Sequence, residues 1–90
     1  MNFKLTRNYK KPYNYFPSTK DELKDIIEKL VDKRGNEADL NDIDTSNILN
    51  MDFLFMDSKF NGDISGWDVS NVTSMRYTFA NSEYSGKMVV

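Results

Sequence analysis

A repeat with a period of 24 residues is the feature that most constrains what this chain can fold into. The stretch LNDIDTSNILNMDFLF at residues 40–55 aligns with DISGWDVSNVTSMRYTF at residues 63–79 when Asp44 is set against Asp68. Further identical pairs fall in the same register: Ser46/Ser70, Asn47/Asn71, Met51/Met75, Phe55/Phe79, Ser58/Ser82 and Gly62/Gly86. Because one unit of such a repeat cannot bury its own apolar face, the second unit is expected to lie on the first.

The apolar spacing within each repeat predicts a strand followed by a return segment. An L-x-x-L-x-L spacing opens each unit: Leu40, Ile43 and Thr45, then Ile64, Trp67 and Val69. A helical turn or two is predicted by the next apolar set: Ile48, Met51 and Phe55, then Val72, Met75 and Phe79. Leucine-rich repeats have periods of about 20–29 residues. The pattern therefore predicts an α/β fold, a short leucine-rich-repeat-like solenoid of two 24-residue coils over residues 40–63 and 64–87.

The segment STKDELKDIIEKLVDKRGN predicts one amphipathic helix over about residues 20–34. Thr19 and Glu22 fit a capping box at its N-terminus, and Gly35 is placed to end it. The apolar side chains fall at spacings of three and four and form one stripe: Leu23, Ile26, Ile27, Leu30 and Val31. Burial of each is worth about 1.5–3 kcal/mol, so the helix is expected to pack on the repeats and to cap one end of the solenoid.

The composition argues against an enzyme. The 90 residues include neither cysteine nor histidine, which removes thiol chemistry, the commonest general base and the commonest metal ligand. Asp42-x-Asp44-x-Ser46 begins like a calcium loop, but Asn47 stands at the glycine position and Phe53 stands where the bidentate glutamate belongs. We therefore expect no catalytic residue, no metal and no cofactor.

Charge is distributed unevenly although the net charge is −2. Residues 1–20 carry basic side chains and no acid, whereas residues 37–68 carry eight acids and one base, Lys59. The predicted outward-facing strand positions form an acidic, hydroxyl-rich face: Asn41, Asp42, Asp44, Ser65, Asp68 and Ser70. This face is either a solvated surface or a binding surface for a basic partner.

The N-terminal arm, residues 1–17, is rich in lysine and tyrosine and is predicted to be extended. Lys10, Lys11 and Tyr13 are candidates for a second contact with a partner. In the alternative interpretation the aromatic residues of the arm cover the edge of the core. Direct binding of nucleic acid by the arm ranks last, because the rest of the chain is acidic.

The second repeat ends almost at once in KMVV, without a polar cap. A stack of repeats normally needs a polar terminal unit, and an apolar edge with unpaired backbone groups recruits another chain. We therefore expect self-association, or binding to a larger partner, through this end of the chain. The residues proposed for self-association are Met88, Val89 and Val90.

The residues GDISGWDVSNVTSMRYTFANS resemble the repeat of the BspA-like leucine-rich repeat family. That family iterates a D-I-S-x-W-D-V-S-N-V-T-x-M-x-x-M-F unit in bacterial and mycoplasma surface proteins. The resemblance covers about residues 17–86, and Thr78 stands where the family usually has methionine. It implies adhesion and protein–protein contact, without catalytic chemistry.

These features favour a non-enzymatic protein-binding module that meets a basic partner through its acidic face and its open end. The alternative is a small phage or mobile-element inhibitor, of anti-CRISPR or anti-restriction type, that blocks a nucleic-acid-binding defence protein. The sequence shows no export signal and no apolar run of membrane-spanning length. A cytoplasmic location without membrane contact is therefore expected, whereas a fragment of a longer adhesin would belong to the cell surface.

Overall fold

One α-helix, α1, spans Lys20–Arg34 in the computed structural model, which describes residues 13–86. Thr19 caps it, because its hydroxyl oxygen accepts the N–H of Glu22 at 3.1 Å while the Glu22 carboxylate accepts the N–H of Thr19 at 3.3 Å. Gly35 ends it with a φ of 95°, and its N–H donates to the carbonyl oxygen of Val31. The predicted helix and its capping box are confirmed.

The apolar stripe of α1 packs on the repeats. Leu23, Ile27 and Leu30 are buried, and the Lys24 ammonium donates to the carbonyl oxygen of Leu54 at 3.5 Å. We call residues 40–63 the first repeat and residues 64–86 the second repeat. Residues of α1, of both repeats and of the connection between helix and repeats form the core. They are Leu23, Ile27, Leu30, Ala38, Leu40, Ile43, Ile48, Met51, Leu54, Phe55, Phe60, Ile64, Trp67 and Val69.

The predicted strands are wrong, because the L-x-x-L spacing closes a turn. The N–H of Ile43 donates to the carbonyl oxygen of Leu40, and the N–H of Trp67 donates to that of Ile64, which are bonds between residues three apart. Over residues 13–86 the structure has isolated parallel bridges, with no strand and no sheet: Tyr15–Ile43, Asp39–Asp63 and Asn50–Ser74. The α/β class and the leucine-rich-repeat-like solenoid of two coils capped by a helix are therefore incorrect for this chain.

The helical turns predicted after these positions are also absent from the described residues, where α1 is the one helix. Phe53 and Asp57 have φ values of 64° and 59°, and their counterparts Tyr77 and Asn81 have 56° and 52°. These left-handed residues interrupt a helix. In addition, the N–H of Phe55 donates to the carbonyl oxygen of residue 78 in the second repeat, a bond that a helix would have formed within its own segment.

Side chains fix the two repeats in a register of 24 residues. The rings of Phe55 and Phe79 stack with centroids 5.6 Å apart. The indole N–H of Trp67 donates to the carbonyl oxygen of Leu40 at 2.9 Å, and the Asn71 amide donates to that of Ser46 at 2.7 Å. The buried Thr78 hydroxyl donates to the carbonyl oxygen of Met51 at 2.8 Å, which explains a polar residue inside the fold.

The end of the N-terminal arm lies along the first repeat. The N–H of Asp44 donates to the carbonyl oxygen of Tyr15 at 2.8 Å, and the N–H of Asn14 donates to that of Asp42 at 2.9 Å. Tyr15 packs against the core, whereas Phe16 stays 66% exposed. The interpretation that the arm covers an edge of the core is confirmed for Tyr15.

Candidate functional site

Asp44 and Asp68 occupy equivalent places in the two repeats and are held in the same way. One oxygen of Asp44 accepts the N–H of Ser46 at 3.0 Å and its hydroxyl at 2.7 Å. One oxygen of Asp68 accepts the N–H of Ser70 at 2.9 Å and its hydroxyl at 2.6 Å. The Ser70 hydroxyl and N–H hold the pKa of Asp68 below its usual range, so this carboxylate remains charged at neutral pH.

Two further carboxylates are held by hydrogen bonds from residues two positions later. Asp63 accepts both the N–H and the hydroxyl of Ser65, at 2.9 and 2.7 Å. Asp39 accepts the backbone N–H and the side-chain amide of Asn41, each at 2.9 Å. A shallow pocket of about 310 Å³ joins two of the predicted binding residues, Tyr13 and Ser65, and its lining is Tyr13, Asp39, Asn41, Asp63, Ser65 and Gly66.

The negative charge of Asp42, another predicted binding residue, is compensated by a positive charge within the protein. The Arg34 guanidinium donates to both of its oxygens at 3.0 Å, and the Asn14 amide donates to it at 2.9 Å. The Arg34 hydrogen bonds are the main cause that lowers the pKa of Asp42 to about 2. Asp42 therefore joins the end of α1 to the first repeat and adds little net charge to the acidic face. Lys10, Lys11, Met88, Val89 and Val90 lie outside the described residues.

The network around Asp52 was not predicted from the sequence. Its carboxylate is buried and accepts the Ser74 hydroxyl at 2.6 Å, the Arg76 N–H at 2.7 Å and the Arg76 guanidinium at 3.1 Å. The Ser74 hydrogen bond, followed by those from Arg76, lowers the pKa of Asp52 to about 2. A signal was available, because the alignment of the repeats sets Asp52 against Arg76, a residue of opposite charge.

A row of backbone N–H groups in the second repeat has no acceptor among residues 13–86. In the first repeat, the N–H groups of Met51, Phe53, Phe55 and Asp57 donate to the carbonyl oxygens of residues 74, 76, 78 and 80, at 2.8–3.0 Å. The counterparts of these donors are 24 residues further along the chain. We call this row the outer edge, and its members are Met75, Tyr77, Phe79 and Asn81.

Aromatic rings accompany the outer edge. Tyr77 stacks on Phe53 with centroids 5.5 Å apart and an angle of 11° between the planes, and the Lys20 ammonium lies 5.7 Å from the centroid of the Phe53 ring. Tyr77 is nevertheless 64% exposed. Both aromatic residues adopt positive φ, which costs about 1–2 kcal/mol for a side chain of this size. An aromatic residue with positive φ therefore recurs at the equivalent position of both repeats. In the second repeat this residue, Tyr77, faces solvent at the outer edge.

No group of three or more acidic side chains within residues 13–86 is placed to hold a metal ion. In the same part of the chain, no helix has the length and the apolar character needed to cross a bilayer. A family model described as "Mycoplasma protein of unknown function, DUF285" matches residues 22–87. No match was found among curated proteins or among solved structures.

Proposed function

We propose that this chain, which belongs to the DUF285 family of Mycoplasma proteins of unknown function, is a non-enzymatic module that binds another protein through its outer edge. The observation that carries this proposal is the row of four N–H donors at alternate residues, from Met75 to Asn81, without acceptors among residues 13–86. Unpaired backbone groups at the edge of a sheet bind the backbone of a partner segment, and we propose that this row does the same although its residues form no strand. The BspA-like character of the repeat, which implies protein contact, supports the same proposal.

The outer edge is suited to protein binding because it combines backbone donors with an aromatic side chain. Each backbone hydrogen bond contributes about 0.5–1.5 kcal/mol net, and its geometry fixes the direction and register of the partner. Burial of an aromatic ring such as Tyr77 adds apolar contact area, and aromatic anchors commonly carry much of the binding energy of an interface. The edge therefore supplies both register and affinity.

The acidic face is the second contact in this proposal. Asp44 and Asp68 keep fixed orientations through Ser46 and Ser70, and Asp68 is held in its charged form. Charges held in this way attract a basic partner surface and raise the rate of encounter at low salt. We therefore propose that the partner carries a basic patch beside the segment that pairs with the outer edge.

Tyr77→Ala is expected to reduce capture of the partner by about tenfold or more, because it removes the exposed ring of the outer edge. The measurement is quantitative mass spectrometry of proteins cross-linked to the tagged chain in cells that produce it. Phe16→Ala is the matched control, since Phe16 is an aromatic residue of similar exposure, 66% against 64%, and lies beside α1.

Circular dichroism establishes that both variants are folded before the captured proteins are compared. The proposal requires at least one protein whose capture falls with Tyr77→Ala and persists with Phe16→Ala. Identical sets of captured proteins, in equal amounts, would contradict a binding role for the outer edge.

A further inference from the structure

We infer that the outer edge selects a partner segment with the sequence pattern x-Asp/Glu-Phe/Tyr-x-Phe-x-Asn, which lies parallel to residues 75–81. This inference rests on the proposed function and adds the chemistry of the partner. It follows from three properties of the edge: the hydrogen-bonding groups that it offers, the side chains that alternate along it, and the orientation of the Asn81 amide.

Within residues 13–86 the backbone N–H groups of Met75, Tyr77, Phe79 and Asn81 have no acceptor, whereas the carbonyl oxygens of Met75, Tyr77 and Phe79 already accept from residues 78, 80 and 82. An occupant that pairs with the whole row must therefore present carbonyl oxygens at every second residue. Two copies of this chain cannot pair edge to edge, because N–H groups would face N–H groups. In the described part of a second copy, the matching row of carbonyl oxygens, at residues 74, 76, 78 and 80, already accepts bonds from the first repeat. The occupant that we propose is an extended segment of the partner protein, which presents its own carbonyl oxygens to the edge.

The side chains of the occupant follow from the contacts between the repeats. The first repeat reads MDFLFMD over residues 51–57, and the second reads MRYTFAN over residues 75–81. In the structure the aromatic rings of these segments stack in pairs, Phe53 on Tyr77 at 5.5 Å and Phe55 on Phe79 at 5.6 Å. A partner segment in the same register places aromatic residues at its third and fifth positions, where they stack on Tyr77 and Phe79.

Charge selects the second position of the partner segment. The guanidinium of Arg76 bonds Asp52 on the side of the first repeat, through its Nε and one terminal nitrogen, and its side chain remains 75% exposed. An acidic residue at the second position of the partner meets this guanidinium, whereas a basic residue there is repelled.

The orientation of the Asn81 amide selects asparagine at the last position. Its nitrogen donates to the carboxylate of Asp57 at 2.7 Å, which leaves its oxygen available to accept from the other side. An asparagine of the partner donates to this oxygen and continues the ladder. An aspartate at the same place offers only another acceptor to that oxygen.

The probe is a synthetic peptide with the sequence of residues 48–60, ILNMDFLFMDSKF, in which asparagine replaces the residue corresponding to Asp57. Its comparison peptides are the same sequence with aspartate retained and a scrambled sequence of the same composition. The asparagine peptide is expected to bind the 90-residue chain about fivefold more tightly than the aspartate peptide, which is the effect of about one hydrogen bond. Its affinity is expected to exceed that of the scrambled peptide by at least the same factor.

Nuclear magnetic resonance of the isotope-labelled chain gives both the affinity and the place of binding. We expect the amides of Met75, Tyr77, Phe79 and Asn81 to gain protection from exchange, and Tyr77→Ala but not Phe16→Ala to weaken binding. Equal affinity for the asparagine and scrambled peptides would overturn the inference. If this result came with a Tyr77-dependent capture of a cellular protein, the motif would be wrong and the proposed function would stand.

Discussion

Phe55→Ala is expected to lower the free energy of unfolding by about 3–5 kcal/mol, a large share of the stability of so small a domain. The side chain is 1% exposed, and its ring packs on three others: Phe60 at 5.2 Å, Phe79 at 5.6 Å and Trp67 at 5.9 Å between centroids. Its removal leaves a cavity at the point where the two repeats meet. Urea unfolding followed by circular dichroism measures the loss.

Phe53→Ala is the matched control for this prediction. Phe53 has the same side chain, is 44% exposed and makes one ring stack, with Tyr77. Its loss is expected to cost about 0.5–1.5 kcal/mol, the value of an aromatic pair. Equal losses for the two variants would mean that Phe55 is not the centre of the core.

Gly62→Ala is expected to cost about 3 kcal/mol, because the new methyl group has no space. A Cβ atom at this position overlaps the carbonyl oxygen of Ala38 and comes within 2.8 Å of the Ala38 nitrogen and 2.6 Å of the Phe60 ring. Two of these atoms belong to the backbone and cannot rotate away. That carbonyl oxygen also accepts the N–H of Asp63, so a shift would break a bond beside the bridge between Asp39 and Asp63.

Gly86→Ala, at the equivalent position of the second repeat, is the control. The three atoms nearest to a Cβ atom there all belong to the Tyr84 side chain, at 2.7–3.0 Å, and this ring, which stacks on Phe60 and Phe79, must shift to make room. The change is expected to cost about 1 kcal/mol, less than Gly62→Ala, because a side chain can shift where the backbone of Ala38 cannot. Thermal unfolding of the two variants checks both values, and a Gly62→Ala protein as stable as the parent would contradict the close approach of residues 38 and 62.

The helix was predictable from the sequence because its signals are local. Thr19, Glu22 and Gly35 mark its ends within a few residues, and the structure has it at Lys20–Arg34. The strands were predicted wrongly because apolar residues three apart, such as Leu40 and Ile43, fit a turn as well as a strand. The positive φ values of Phe53 and Tyr77 could not be predicted from the sequence, because aromatic residues rarely adopt the left-handed backbone conformation.

The candidate site was predictable only in part. The recurrence of Asp44 at Asp68 predicted two carboxylates in equivalent places, and each is held by the serine two residues later. The ion pair between Arg34 and Asp42 joins the end of α1 to the first repeat. It could not be predicted, because the repeat pattern does not include the helix. An open end with unpaired backbone groups was predicted for the second repeat, but its individual N–H donors were not, because they depend on which N–H groups the first repeat uses for pairing.

Amide hydrogen exchange of the free 90-residue chain tests most directly the claim that the two repeats pair through one row of donors and leave the equivalent row open. We predict that the amides of the first repeat exchange slowly and that those of the outer edge exchange at rates close to those of an unfolded peptide. The slow set is Met51, Phe53, Phe55 and Asp57, and the fast set is Met75, Tyr77, Phe79 and Asn81. Equal protection of the two sets would show that the second repeat is already paired in the free chain, and would contradict the account.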